Sequence, residues 1–257
     1  MKLTSKEISN YYETHPASVS SPFGGIGTRN ADNPYLNEVL SDLRADLKGR
    51  DVLDVGCGSG WFARYCDGKV RSYVGMDITA GCAKMTKAIA PRVILGTAES
   101  LPFRPGAFDY VFFIDSFEHI PDQERATAEA YRVLKADGKA FLSVPNYSNV
   151  CGLVKKFEEG MGLCAKDSWA PFDHWTPQVL EYFMTSEQVR CVFDKGGFTR
   201  FRMIGGRHDF LDGVFPWIDH RFMVGERIVR KLFSFVEGPL ALRFPWLSLH
   251  NFWLIGK

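Results

Sequence analysis

The sequence lacks an excess of charge of either sign. Its 31 Lys and Arg residues face 30 Asp and Glu residues, so the formal net charge of the 257-residue chain is +1. Proteins that grip nucleic acid through its phosphates normally carry a basic excess or a basic face. We therefore expect no nucleic-acid partner.

Paired cysteines and long apolar runs are also missing. The six cysteines are scattered, with no C-x-x-C pair and no His at zinc-finger spacing, so we expect neither a metal site nor a disulfide framework. No run is long enough to cross a bilayer, and the first residues show no apolar leader segment. These absences favour a cytoplasmic location. Contact with a membrane surface is possible but is not the favoured expectation.

Aromatic residues, in contrast, are abundant and unevenly placed. The chain has 21 Phe, 9 Tyr and 6 Trp, and eleven of these rings fall between Phe201 and Trp253. Hydrophobic residues make up 46% and charged residues 24%, as in ordinary globular domains. The aromatic bias indicates either core packing or an apolar binding surface near the end of the chain.

Short β-branched runs alternate with amphipathic helices from Asp51 to Val144, which predicts βαβ units and a parallel sheet. The predicted strands are 52–55, 73–77, 92–95, 108–114, 139–144, 201–204 and 251–255. One helix is predicted from an N-cap at Asp122 to Lys135. A capping box at 185–188 opens another helix, which closes at 196–197.

A glycine loop, Asp54-Val55-Gly56-Cys57-Gly58-Ser59-Gly60, follows the first strand and opens a helix, where backbone can approach a ligand closely. Trp61 stands where a dinucleotide fingerprint places its third glycine. The Asp54 carboxylate would repel a pyrophosphate but suits an ammonium or sulfonium cation. Asp77, at the end of the second strand, can accept ribose hydroxyls. The pattern favours S-adenosylmethionine over NAD.

Five motifs extend this pattern in order: VLDVGCGSGWF, VGMDI, GTAESLPF, FDYVFFIDSFEHIPD and RVLKADGKAFLSVPN. Over about residues 50 to 146 the chain resembles the class I S-adenosylmethionine-dependent methyltransferases, particularly the branch of the ubiquinone and menaquinone biosynthesis methyltransferases. The resemblance implies an α/β fold with a Rossmann-like seven-stranded sheet. That sheet is mostly parallel with an antiparallel last strand, and helices cover both faces; here an aromatic-rich cap is expected in addition.

The resemblance also implies the cofactor contacts. Residues around the glycine loop would hold the methionine part, Asp77 the ribose and 98–99 the adenine, with Ile114 and Asp115 beside the methyl end. The full expected set is Asp54, Gly56, Cys57, Gly58, Gly60, Trp61, Asp77, Ile78, Thr97, Ala98, Glu99, Ile114, Asp115 and Ser116. The family often has Asp at the position of Thr97, so the adenine amino group is left to the Ala98 backbone or to water. The product would be S-adenosylhomocysteine.

Methyl transfer is an in-line displacement, so positioning supplies much of the acceleration and a base is needed only when the acceptor loses a proton. His119, in the loop after the fourth strand, is the first candidate base. His174, beside Asp173, is the second. Both histidines also fit a structural or loop-surface role.

Three segments interrupt the alternation. We predict one domain over 1–257, with its core in 34–146, 185–205 and 249–257. Residues 1–33, including Tyr11, Tyr12 and His15, form an N-terminal lid. The insertions 147–184 and 206–248 leave the carboxyl edge of the sheet and would roof the acceptor. An amphipathic helix over 225–236 packs on the body or touches a membrane.

The sequence therefore predicts a methyltransferase that acts on a small hydrophobic or aromatic acceptor, with O-, N- and C-methylation all open. Two alternatives remain: a noncatalytic binding protein of the same fold, and a methyltransferase that acts on a membrane-associated lipid or quinone. A nicotinamide oxidoreductase and an RNA methyltransferase are disfavoured. Oligomeric state is not predicted.

Overall fold

The computed structural model describes residues 3–14, 34–163, 182, 184–205, 239–248 and 250–257. The strands are β1 (Asp51–Val55), β2 (Ser72–Asp77), β3 (Val93–Leu95), β4 (Phe108–Ile114), β5 (Leu134–Pro145), β6 (Arg200–Gly205) and β7 (His250–Gly256). The helices are α1 (Ser5–Thr14), α2 (Pro34–Leu47), α3 (Trp61–Cys66), α4 (Ala80–Lys87), α5 (Gln123–Val133), α6 (Val150–Gly160) and α7 (Ser186–Lys195). Among these residues no helix is both long and apolar enough to span a membrane.

The seven strands form one sheet in the order β3-β2-β1-β4-β5-β7-β6. Strands β1 to β5 pair in parallel, and β7 runs antiparallel to both of its neighbours, β5 and β6. The predicted sheet with an antiparallel last strand is confirmed. Strands β2 and β3 are added on one side of β1, and β4 and β5 are added on the other side. Ligands of such sheets bind at the carboxyl edge beside this switch point between β1 and β4.

Helices cover both faces of the sheet, as predicted. On one face α5 and α7 bury Ala126, Val189 and Phe193. On the other, α2 and α3 pack against a row of rings in which Phe112 lies 4.4 Å from Phe62, measured between ring centroids. Burying a Phe side chain contributes up to about 3 kcal/mol, so these two layers hold the strands that carry the site.

Local signals in the sequence predict several helix ends correctly. Asp122 caps α5 by accepting a hydrogen bond from the Arg125 backbone amide. Thr185 and Gln188 form the predicted capping box of α7. Each cap satisfies an amide that the first helical turn would otherwise leave unpaired.

One predicted boundary is wrong. The helix predicted to reach Lys135 ends at Val133, and β5 starts at Leu134 instead of Lys139. Leu134 has extended backbone and is buried, and it pairs with Phe108 before the register shifts. Burial of this leucine against the sheet, which sequence periodicity does not show, draws the chain out of the helix early.

The amino-terminal edge of the sheet, opposite the expected site, carries a charged network. The Lys135 ammonium lies 2.9 Å from the Asp51 carboxylate and 2.7 Å from the Asp109 carboxylate. A hydrogen bond from Arg71 is the main reason that the pKa of Asp51 lies well below its usual value. This network stabilises strand ends far from the glycine loop.

The described part of the aromatic-rich region divides between core and surface. Phe252 and Trp253 are buried on β7, on opposite faces of the sheet, and Phe201 is partly buried. Trp246 is 43% exposed and packs edge-on against Phe244. Three of these rings are therefore core residues, whereas the predicted helix 225–236 lies outside the described residues.

Candidate cofactor site

The glycine loop joins β1 to α3, and its three glycines adopt φ angles of +82°, +50° and +83°. A Cβ on Gly56 would lie 2.5 Å from Ser116 Cβ, and one on Gly60 would lie 2.7 Å from Ile89 Cδ1. A Cβ on Gly58 would meet no atom within 4 Å. Packing within the protein thus requires the first and third glycines, and the second leaves open space for a ligand.

Hydrogen bonds fix the loop from beneath. The backbone amides of Gly56 and Cys57 donate to the Met76 carbonyl at 2.8 and 3.0 Å. The Thr86 hydroxyl of α4 donates to the Gly58 carbonyl at 2.8 Å. Strand β2 and helix α4 therefore hold the loop in shape, which lowers the entropic cost of binding a ligand there.

Asp54 lies at one side of the loop and is only 2% exposed. The Tyr73 hydroxyl donates to its carboxylate at 2.6 Å. Burial raises the pKa of Asp54 to about 7, the Tyr73 hydrogen bond opposes the rise, and the negative charge of Asp77 adds to it. A cationic group bound beside Asp54 would favour the ionised form and return this pKa toward its usual range.

Asp77 lies at the other side and is 7% exposed. One carboxylate oxygen accepts from the Gly58 amide at 2.9 Å, and the other accepts from the Thr79 amide and hydroxyl at 3.0 and 2.9 Å. Burial raises its pKa, and these hydrogen bonds oppose the rise. Since a carboxylate has about four lone-pair sites, acceptor capacity remains for ligand hydroxyls.

Helix α1 reaches over the loops that follow β2 and β3. The Ser5 hydroxyl donates to the Glu99 carboxylate at 2.9 Å, and the Ser9 hydroxyl donates to the Ile78 carbonyl at 3.0 Å. Ala98 is buried beside Glu99. The expected adenine-side residues are thus gathered under the described part of the N-terminal segment.

The far end of α1 contacts two further elements. The Glu13 carboxylate accepts hydrogen bonds from the Ala80 and Gly81 amides at the start of α4. The Tyr12 ring lies edge-on to His119, with centroids 6.2 Å apart. Helix α1 therefore bridges the loops after β2, β3 and β4. His15, also predicted for this lid, lies outside the described residues.

The expected methyl end lies where β4 meets β5. Asp115 has φ +46°, and among the described residues other than glycine it alone has positive φ. The Ser143 hydroxyl donates to its carboxylate, and the Asp115 amide donates to the Ser143 carbonyl at 3.1 Å. Ser116 donates to the Val55 carbonyl at 2.7 Å. Left-handed backbone in a non-glycine residue costs energy and is concentrated at functional sites.

Two residues of the expected set, Cys57 and Trp61, pack their side chains against the protein. Cys57 is buried, and a Cβ on Gly75 would lie 3.2 Å from its Sγ; burial raises the pKa of its thiol. Trp61 stacks on Phe62 and Tyr65, with centroids 6.3 and 6.1 Å apart. Cys57 can therefore meet a ligand only through its backbone.

The candidate bases are placed differently from one another. His119 lies in a 3-10 turn after β4, under Tyr12, with Nε2 3.8 Å from the Glu118 carboxylate. His174 and Asp173 lie outside the described residues. Sequence reasoning missed His250, which begins β7 at the carboxyl edge of the sheet and is 6% exposed. Its signal was available, because an antiparallel last strand must start at that edge.

Strand order and site together define a doubly wound α/β protein with a ligand crevice beside β1 and β4. Two buried carboxylates flank its glycine loop. This class includes many nucleotide-binding and cofactor-binding proteins, and the fold alone does not choose among them.

Comparison with known proteins narrows the class. Residues 53–142 match the family model described as a methyltransferase domain. Over 110 residues the chain is 34% identical to a Mycolicibacterium smegmatis protein named Probable S-adenosylmethionine-dependent methyltransferase, covering 42% of this chain and 43% of that one. Over 112 residues it is 33% identical to the ubiquinone biosynthesis O-methyltransferase of Pseudomonas paraeruginosa, covering 41% and 48%. The chain thus spans about half the length of these curated relatives.

The fold extends further than the sequence match. The structure of the Haloferax volcanii complex between the Trm112 methyltransferase activator and a methyltransferase aligns with a TM-score of 0.61 and 17% identity, covering 97% of this chain and 96% of that one. At this identity the likeness shows a shared fold. Together with the sequence matches, it confirms the resemblance to class I S-adenosylmethionine-dependent methyltransferases.

Proposed function

We propose that this chain transfers a methyl group from S-adenosylmethionine to a small hydrophobic or aromatic acceptor and releases S-adenosylhomocysteine. The observation that carries the proposal is the arrangement at the glycine loop. A Cβ on Gly58 would meet open space, the Gly58 amide donates to the buried Asp77 carboxylate, and a second buried carboxylate, Asp54, lies at the start of the loop.

The residues present fit this cofactor. Burial raises the pKa of Asp54 to about 7, and a neighbouring cation would stabilise its ionised form. S-adenosylmethionine carries two such cations, a sulfonium and an ammonium. Asp77 is held by Gly58 and Thr79 so that its remaining lone pairs can accept ribose hydroxyls. Ala98 and Glu99 would border the adenine. The bound cofactor would supply an electrophilic methyl carbon.

NAD fits the same residues less well. A pyrophosphate beside the glycine loop would face the Asp54 carboxylate across a short distance. Trp61 takes the place of the glycine that a dinucleotide fingerprint uses for close helix packing. Both features favour a ligand that carries positive charge over one that carries two phosphates.

We assign the acceptor to small molecules that carry an aromatic hydroxyl. The Pseudomonas relative is named as an O-methyltransferase of ubiquinone biosynthesis, which favours oxygen as the atom methylated here. The charge balance of the chain favours a small molecule over RNA. We place the reaction in the cytoplasm, with helix α1 as the described part of the cofactor lid; most of the predicted acceptor roof, 164–181 and 206–238, lies outside the described residues.

A turnover assay tests this function. The protein is incubated with S-adenosylmethionine and either the small-molecule or the RNA fraction of a cell extract, and S-adenosylhomocysteine is measured by mass spectrometry. We expect product with the small-molecule fraction, and loss of product in Asp77→Asn.

The matched control is Asp109→Asn, which removes a partly buried carboxylate at the opposite edge of the sheet. It should retain turnover at a temperature where it is folded. Binding of the cofactor without product in either fraction would support the noncatalytic alternative. Product with RNA alone would overturn the small-molecule assignment.

A further inference from the structure

His250 occupies the carboxyl edge of the sheet on the far side of β4 from the adenosine-side residues. Strand β7 runs antiparallel to β5, and its first residue pairs with Pro145 at the end of β5. In the strand order, Asp77 on β2 and His250 on β7 lie on opposite sides of β1 and β4. We propose that His250 accepts the proton of a phenolic acceptor during methyl transfer, an inference that rests on the proposed function.

His250 lies on the sheet face that carries Ile114, a residue expected beside the methyl end. Register pairs Ile114 of β4 with Ser143 of β5, and Ser143 with Phe252 of β7, so these three side chains share a face. Side chains alternate along a strand, so His250 shares that face with Phe252. Their rings lie 6.4 Å apart at an interplanar angle of 29°.

The separation of Ile114 and His250 sets the scale of the acceptor site. Two strand spacings and two residues of rise put their Cα atoms about 12 Å apart. Strand β5 lies between them, with Ser143 opposite Ile114 and Pro145 opposite His250, so an acceptor that borders both residues would lie over the end of β5. The apolar floor continues below, because Phe252 stacks on Phe141 with centroids 6.3 Å apart. These rings favour an aromatic acceptor over a long polar one.

Buried amides hold the chain immediately before His250. Asn146 donates from Nδ2 to the carbonyls of Trp246 and Ser248, each at 2.7 Å. Asn149 donates to the same Ser248 carbonyl at 2.9 Å. Both asparagines and Ser248 are buried, so these hydrogen bonds are expensive to break. They fix where β7 begins, and therefore where His250 stands beside β5.

His119 is less well placed for the same task. It lies beneath Tyr12 of α1, and its neighbour Phe117 belongs to the core on the α5 and α7 side of the sheet. His250 lies on the α2 and α3 side, where Phe252 and Ile114 pack. The geometry therefore separates a histidine under the cofactor lid from one at the acceptor edge.

The reaction balances with His250 as base. The phenol oxygen forms a bond to the methyl carbon, the carbon–sulfur bond breaks, and its electron pair stays on sulfur. The phenol proton passes to a ring nitrogen of His250 and then to solvent. The histidine ring supplies the base, so no further reagent is required.

The test compares wild type, His250→Gln and His119→Gln with two probes, 4-methylphenol and 4-nitrophenol, at pH 8. The second phenol is largely ionised there and needs no base. Calorimetry first measures S-adenosylmethionine binding, and we expect wild type and His250→Gln to bind it within about twofold. Failure of the wild type to bind would refute the proposed function itself.

For His250→Gln we expect kcat with 4-methylphenol to fall about 100-fold or more. The fall with 4-nitrophenol should be less than about tenfold, and His119→Gln should retain the ratio of the two rates found in wild type. An equal loss with both phenols would assign His250 a structural role and overturn the proposal. So would a wild type that binds the cofactor but methylates neither phenol.

Discussion

Asp54 offers the sharpest prediction, because its burial makes the ligand-free fold sensitive to pH. Its pKa is about 7 in the folded protein against an ordinary value of 3.8. Between these values the folded state binds more protons than the unfolded state, so its stability falls as pH rises. Above pH 7 the buried Asp54 carboxylate lowers the free energy of unfolding by about 4 kcal/mol, since one pKa unit corresponds to about 1.4 kcal/mol.

Replacing Asp54 by Asn removes that cost. The Tyr73 hydroxyl can still donate to the amide oxygen, so the variant keeps the main contact of this side chain. We expect Asp54→Asn to be more stable than wild type by up to about 4 kcal/mol at pH 8, and to differ little at pH 4. Urea unfolding at pH 4, 6 and 8 measures the difference directly.

The same carboxylate should make cofactor binding pH-dependent. If only ionised Asp54 binds the cation, affinity for S-adenosylmethionine rises about tenfold from pH 6 to pH 8. Comparison with Asp54→Asn isolates this part of the slope, because the ammonium of the cofactor titrates equally in both proteins. An Asp54→Asn variant that is no more stable than wild type at pH 8 would contradict the raised pKa of Asp54. A variant that keeps the full pH dependence of binding would contradict the role of Asp54 in holding the cation.

Three further changes test single features. Gly56→Ala should lower the free energy of unfolding in urea by about 3 kcal/mol or more, because Gly56 has positive φ and its Cβ would contact Ser116. The control Gly106→Ala, which has positive φ in open space, should lower it by about 1 kcal/mol. Equal losses would show that the contact with Ser116 does not matter. Glu13→Ala should raise the Kd for S-adenosylmethionine several-fold and leave the global stability unchanged, because it removes the hydrogen bonds between α1 and α4. Calorimetry measures the Kd, and an unchanged value would show that α1 does not support the site. Asp122→Ala should lose about 1 kcal/mol of stability and leave the Kd unchanged, and a change in Kd would count against a purely capping role.

Much of the fold follows from local sequence signals. Strand β4 has the predicted bounds, and the caps at Asp122 and Thr185 stand where the residue types indicate. Such signals act within a few residues, so a single sequence shows them. The end of α5 does not, because Leu134 enters β5 to pair with Phe108, a contact between distant parts of the chain.

The candidate site divides in the same way. Motif spacing predicted Asp54 and Asp77; the structure buries both carboxylates, and Asp77 accepts a hydrogen bond from the Gly58 amide. Motif spacing could not show that a glycine is required at position 56 because of the close approach of Ser116. Nor did it draw attention to His250, which reaches the site edge only through the antiparallel return of β7.

Equilibrium binding of S-adenosylmethionine, measured by calorimetry at pH 8, decides whether the glycine-loop site holds this cofactor. We expect one cofactor bound per chain, with binding lost in Asp77→Ala and retained in Asp109→Asn. We also expect no competition from NAD. Tight NAD binding, or undiminished S-adenosylmethionine binding in Asp77→Ala, would contradict this expectation.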